Sequence, residues 1–276
     1  MAAPPDLPGV RHEYLDAGGL RTHVALAGAQ GAPPILLVHG WPQHWWAWRR
    51  VIPALAERHR VIVPDLRGHG WTQAPGTGYA KEQLATDLLA LLDALAVERV
   101  TWIGHDWGGW VGQLAALRAP ERIERLLVLC VPHLWVPTHP RQLALLGYQG
   151  PVSLPVAGRR MARRMIRPIL QAGRGHDPLP GDDLELFAQH VPPKVTVAMY
   201  RTFLTREVLP IVRGRYARSR LEVPATVMVG ARDLVTRGVA AGPVRGQPRL
   251  EVEVIDGVAH WVPEQRPDVV IGWAAR

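Results

Sequence analysis

Six short apolar runs, each giving way to a turn-forming motif, constrain this chain more than any other feature. Ile35–Val38 leads into HGWP, Arg60–Val63 into PDLRGHG, and Val100–Ile103 into GHDWGG. Arg125–Val131 ends at a proline, Ala225–Val229 leads into GARD, and Leu250–Ile255 leads into DGVAH. The runs are of strand length, continuous rather than alternating, and rich in Val, Ile and Leu. Strands buried on both faces of a parallel sheet read this way. Between them, Leu84, Leu88, Leu91, Leu92 and Leu95 recur at helical spacing and predict an amphipathic helix over Ala80–Ala96. Gly108–Arg118 reads as a second helix, stopped by Pro120. The alternation predicts an α/β class, with a mostly parallel sheet covered by helices on both faces. In such sheets ligands bind beyond the carboxyl ends of the strands.

The rhythm breaks between about Trp135 and Tyr216, where helical patterns and prolines replace buried strands. We expect a core domain made of residues 1–134 and 217–276, with a helical cap, 135–216, inserted over the catalytic end of the sheet. Connecting helices without function are the plainer alternative. Loops and lids at that end are where sites are built.

Gly104-His105-Asp106-Trp107-Gly108 lies where a buried strand gives way to a helix. It matches the nucleophile elbow, Gly-x-nucleophile-x-Gly, with Asp in the place of Ser. A sharp strand-to-helix turn brings backbone close to both glycines, where a side chain would clash. The free N–H groups and positive dipole end of the following helix favour an ionised carboxylate. A carboxylate nucleophile suits displacement at saturated carbon, giving an alkyl-enzyme ester that water must then hydrolyse. A helix-capping Asp is the structural alternative.

HGWP at 39–42, DLRGHG at 65–70, GHDWGG at 104–109 and AHWVPEQRP at 259–267 together resemble the epoxide hydrolases and haloalkane dehalogenases of the α/β-hydrolase superfamily. The resemblance runs from about residue 20 to the end. It implies the α/β-hydrolase fold, with Asp106 as nucleophile, His260 as the base that activates water, and Asp233, in GARD, as the acid that orients His260. These roles agree with the chemistry of a hydrolytic triad and with its order along the chain. His39, His69 and His105 read as structural hydrogen-bonding groups. The oxyanion hole falls to the backbone N–H groups of Trp41 and Trp107, which also become candidates for contact with substrate. Trp45, Trp46 and Trp48 could extend an apolar pocket or simply pack a helix.

Epoxide opening leaves an alkoxide attached to the substrate, and a phenol is a fitting donor for it. The resemblance places such donors at Tyr200, in AMYR, and Tyr148, in GYQ, with Tyr216 as a spare; the chain has five tyrosines in all. The expected substrates are therefore a small epoxide and water. A haloalkane dehalogenase sharing the Asp nucleophile is the competing enzyme. Such enzymes often carry Asn where this chain has Trp41. A non-catalytic binding protein of the same fold is the competing class, and the full Asp106, Asp233, His260 set argues against it.

Composition narrows the remainder. The formal charge of +8 invites a nucleic-acid reading, but Lys81 and Lys194 are the only lysines and no aromatic-interleaved basic motif occurs. The basic stretch GRRMARRMIRP at 158–168 reads as a solvated helix before it reads as a membrane surface. Cys130 is the single cysteine, lies in LLVLCVP, and allows no internal disulfide. No apolar run approaches a membrane span, and the N-terminus has no charged start followed by an apolar stretch. A cytoplasmic enzyme is the default expectation, without metal or cofactor, and with a homodimer as a possible assembly.

Overall fold

The computed structural model describes residues 2–136, 147, 149–174, 177–236 and 239–276. Among these residues nine strands form one sheet in the order β1-β2-β4-β3-β5-β6-β7-β9-β8. They are β1 (Val10–Ala17), β2 (Leu20–Ala27), β3 (Pro34–Val38), β4 (Arg60–Pro64), β5 (Val100–His105), β6 (Ile123–Leu129), β7 (Ala225–Gly230), β8 (Gly242–Val244) and β9 (Gln247–Ile255). β4, β3, β5, β6, β7 and β9 run parallel, and every residue of the central β5 is buried.

All six apolar runs became strands. The run expected over Arg125–Val131 starts at Ile123 and ends at Leu129, because Cys130 turns out of the sheet at φ +56°. β1, β2 and β8 escaped the sequence reading and pair antiparallel at the two edges. The hairpin β1–β2 carries charges such as Arg11, Glu13 and Arg21, so it lacks the continuous apolar signature of the central strands.

The predicted helices are present. Lys81–Ala94 buries Leu84, Leu88, Leu91 and Leu92 and is followed by Ala96 at positive φ. Trp107–Arg118 ends two residues before Pro120. Between β6 and β7 the described residues contain helices and no strand: Ala157–Gln171, Gly181–Gln189, Pro193–Thr202 and Val208–Val212. Among the described residues no helix is long and apolar enough to cross a membrane.

The chain steps from β3 out to β4 and then back across β3 to β5. Two neighbouring parallel strands thus send their chains to opposite sides, which opens a crevice at their carboxyl ends. The loop after β3 carries Trp41, and the turn after β5 carries Asp106.

Candidate active site

Asp106 sits at φ +50° and ψ −122°, a conformation that non-glycine residues adopt only under tight surrounding constraint. The constraint comes from its flanks. A Cβ on Gly104 would collide with the Gly108 carbonyl, and one on Gly108 with the Val38 carbonyl of β3. Asp106 N–H donates to the Leu129 carbonyl at 2.9 Å, while its own carbonyl receives the N–H groups of Gly109 and Trp110 at 3.0 Å. The side chain is thereby aimed into the crevice, 16% exposed.

Two backbone donors meet the carboxylate. Trp41 N–H donates to Oδ1 at 3.0 Å, and Trp107 N–H also bonds the group. These are the two N–H groups that the sequence nominates for an oxyanion hole. Burial raises the pKa of Asp106, against the pull of the His260 charge and of these two N–H groups.

His260 lies in the loop after β9. Its Nδ1 is 3.2 Å from Asp233 Oδ1, and its Nε2 is 3.7 Å from Asp106 Oδ2. The second separation is too long for a direct hydrogen bond. Asp233 follows β7 and is 2% exposed. Val235 N–H donates to Oδ1 at 2.9 Å and the Thr236 hydroxyl to Oδ2 at 2.7 Å. Burial alone would raise the Asp233 pKa, but the His260 charge and these hydrogen bonds outweigh it and lower it. Burial pulls the His260 pKa down, and Asp233 and then Asp106 more than reverse this, so it is raised. The three predicted residues are therefore brought together from the ends of three strands.

The surrounding histidines are structural. His39 donates from Nδ1 to the Gly40 carbonyl at 2.9 Å and accepts the Leu66 N–H on Nε2 at 3.0 Å. His105 donates from Nε2 to the carbonyl of His260 at 2.8 Å, which fixes the backbone carrying the imidazole. Burial pushes the pKa of His105 and of His69 down to about 3, which keeps both neutral at ordinary pH. His105, Cys130 and His260 bring possible ligand atoms within 4.8 Å of one another. A metal there would have to compete for His260, whose two nitrogens face Asp233 and Asp106.

Tyr200, 2% exposed, stands on the helix Pro193–Thr202. Its ring meets Trp41 edge-on at 5.2 Å and Trp107 at 6.3 Å, above the two residues that hold Asp106. Tyr148 lies outside the described residues. The spare, Tyr216, donates its hydroxyl to Glu82 Oε1 at 3.3 Å and is tied to the helix Lys81–Ala94 instead. Trp45 and Trp48 are wholly buried, and Trp45 packs on His12 and His23. Trp46 donates to Asp183 at 2.6 Å. These three pack and tether, as the helix-packing alternative predicted, and the aromatic wall of the crevice is Trp41, Trp107 and Tyr200.

Sequence reasoning passed over two buried ionic groups beside the site. Lys81, fully buried, places Nζ 4.3 Å over the Trp107 ring and 3.7 Å from Glu207 Oε1. Burial lowers its pKa to about 8, against the pull of Glu207 and Asp106. Glu264 receives Gln43 at 2.7 Å and Arg174 at 3.0 Å. Its place four residues after His260 was the only hint in the sequence.

The profile of the α/β hydrolase fold family matches residues 33–267 of this chain. A soluble epoxide hydrolase of a Corynebacterium species is 45% identical over 120 residues, a stretch covering 44% of this chain and 41% of that protein. Epoxide hydrolase A of Mycobacterium tuberculosis is 30% identical over 306 aligned positions, covering 93% of both chains. The crystal structure of an epoxide hydrolase from Vigna radiata superposes with a TM-score of 0.82 at 27% identity, covering 98% of each chain.

Proposed function

This chain belongs to the α/β-hydrolase fold family, and from that premise we propose that it is an epoxide hydrolase working through an ester on Asp106. The observation that carries the reading is the carboxylate itself. It is held by Trp41 N–H at 3.0 Å, faced by His260 at 3.7 Å, and roofed by a buried tyrosine. The similarity to proteins named epoxide hydrolases supports the same reading.

In the first step an Asp106 oxygen attacks a ring carbon of the epoxide. The carbon–oxygen bond of the ring breaks, its electron pair stays on the ring oxygen, and the Tyr200 hydroxyl donates a proton there. Tyr148 is the second proposed donor. In the second step His260, held by Asp233, takes a proton from water. The hydroxide adds to the ester carbonyl, and the oxyanion so formed is stabilised by the N–H groups of Trp41 and Trp107. Collapse breaks the ester carbon–oxygen bond; the departing diol oxygen takes the proton held by His260, and the acid left on Asp106 gives its proton back to the Tyr200 phenolate, which restores the carboxylate and the phenol. Residues 135–216 act in this scheme as the cap that carries the phenols and keeps bulk water out.

A dehalogenase would need N–H donors free to receive a departing halide. The Trp41 indole N–H is committed to Thr196 Oγ1 at 3.0 Å, which favours the epoxide reading.

The test is one turnover of styrene oxide in 18O-water with enzyme in excess, followed by mass spectrometry of the diol and of the Asp106 peptide. Label in Asp106 and not in the diol is the expected result. Label in the diol would mean direct attack by water and would sink the ester mechanism. Bromide release from 1-bromobutane without diol formation would favour the dehalogenase.

A further inference from the structure

Residues 135–216 contain twelve Lys and Arg against five Asp and Glu, which is +7 of the chain's formal +8. Part of that charge converges on one groove. About 580 Å³ in volume, it lies between the loop Ala74–Ala80 of the sheet domain and the helical segment above it. Arg159, Lys194, Arg201 and Arg206 line it, and no acidic residue does. Among the described residues none of the four forms an ion pair. The undescribed positions contain no Asp or Glu, so no carboxylate there can pair with them.

The fold gathers these cations from separate elements. Arg159 comes from the first turn of Ala157–Gln171, while Lys194 and Arg201 lie two turns apart on the helix Pro193–Thr202. Arg206 belongs to the π-helical turn Phe203–Glu207, which sends Glu207 inward to Lys81 and leaves Arg206 exposed in the groove. Four like charges around one concavity repel each other and concentrate anions from solution. Guanidinium groups present paired N–H donors that match the oxygens of a phosphate. Thr77 and Thr202 add hydroxyls to the same lining. A single carboxylate would neutralise one charge of four, whereas a group with several phosphate charges would neutralise most of them.

We propose that this groove is a binding site for a phosphate-bearing ligand of two or more negative charges, either free in solution or presented as a lipid headgroup. The site is separate from Asp106. It occupies the outer side of the helix whose inner side carries Thr196 and Tyr200, so an occupant bridges that helix to the loop Ala74–Ala80.

Binding of inorganic pyrophosphate at low ionic strength, measured by calorimetry, tests the site without reference to turnover. The double variant Arg201→Ser/Arg206→Ser is compared with Arg163→Ser/Arg164→Ser, which removes the same charge from exposed positions outside the groove. We expect the wild type to bind, the groove variant to bind at least about ten-fold more weakly, and the control to stay within about two-fold. Circular dichroism and the melting temperature without ligand report folding, and Lys194→Ser gives a milder second groove variant. Co-sedimentation with phosphatidylcholine vesicles, with and without phosphatidylglycerol, identifies the source. Displacement from the anionic vesicles by pyrophosphate means a headgroup, and pyrophosphate binding without vesicle binding means a soluble ligand. No pyrophosphate binding, or equal losses in the groove and control variants, would overturn the proposal.

Discussion

His260 is charged more readily than a free imidazole because two carboxylates face it, Asp233 and Asp106. In the mechanism proposed above, forming the ester removes the charge on Asp106. One of the two groups that hold the proton is then gone, so the pKa of His260 falls. The second step requires the neutral imidazole. The acid limb of ester hydrolysis is therefore expected at lower pH than the titration of His260 in the free protein. NMR titration of the imidazole against stopped-flow rates of ester decay checks this, and coincident values would refute it. His260→Gln should let the ester accumulate, seen as added mass on Asp106, with its hydrolysis slowed by about three orders of magnitude. Tyr200→Phe should slow ring opening about a hundred-fold while leaving binding of the diol nearly unchanged.

Residue identity made much of this site legible in the sequence. Asp106, Asp233 and His260 each follow an apolar run, so their positions could be read from the strands before them. Lys81, Glu207 and Glu264 could not be read in this way. Charged residues ordinarily stay at the surface, and only the three-dimensional pairing reveals that these are buried. Asp65 was visible as part of DLRGHG, but its work was not. It accepts Trp45 N–H at 2.7 Å and Trp71 N–H at 3.0 Å, and lies 2.7 Å from His23 Nδ1. Burial would raise its pKa, but His23 and the neighbouring histidines depress it strongly. A depressed carboxylate stabilises the fold fully above its unfolded pKa, about 4. That contribution is lost as pH falls below about 4 toward the folded value. Asp65→Asn should cost on the order of 3 kcal/mol at neutral pH and flatten this acid dependence, as urea melts at a series of pH values would report.

At the scale of elements, the elbow depends on the contact of one helix start with one strand. Gly108 leaves no room for a methyl group beside the β3 carbonyls. Gly108→Ala should therefore shift the first turn of Trp107–Arg118, moving Trp107 N–H away from the Asp106 carboxylate. Turnover is expected to fall further than stability, which parallel assays of activity and melting would separate. The helix Lys81–Ala94 meets the helical segment above it through Lys81 and Glu207. Lys81→Met alone strands a buried carboxylate and should cost about 3 kcal/mol. Lys81→Met with Glu207→Gln should recover most of that loss, and a double-mutant cycle in urea measures the difference. The central elements were readable because burial on two faces leaves a continuous apolar trace. The edge hairpin β1–β2 leaves no such trace, since its charged side chains interrupt the pattern.

At the scale of the whole molecule, the helical segment is fastened to the sheet domain at many points. Among the described residues four indole N–H groups cross between them: Trp41 to Thr196, Trp46 to Asp183, Trp135 to the Ser219 carbonyl, and Trp261 to the Ala172 carbonyl. Arg49 also reaches Asp183 at 2.6 Å, and Arg174 reaches Glu264 at 3.0 Å. If these residues cap the site as proposed, substrate is expected to enter by local yielding of the segment and not by its swinging free as one body. Asp183→Ala takes away the acceptor of the Trp46 indole and the closest acidic partner of Arg49, which keeps the Trp46 carbonyl at 3.1 Å. It should lower the melting temperature by a few degrees and speed tryptic cleavage within residues 135–216.

The same insertion governs how the molecule comes into being. β6 ends at Leu129, and the strand that lies beside it, β7, begins only at Ala225. A ribosome adding 5–20 residues per second needs roughly 5 to 20 seconds to cross that interval. Throughout it, the emerging chain presents a long apolar strand edge with nothing yet made to cover it. The nascent protein is therefore most vulnerable to aggregation in that window, and production at low temperature, which lengthens it, should raise its dependence on chaperones.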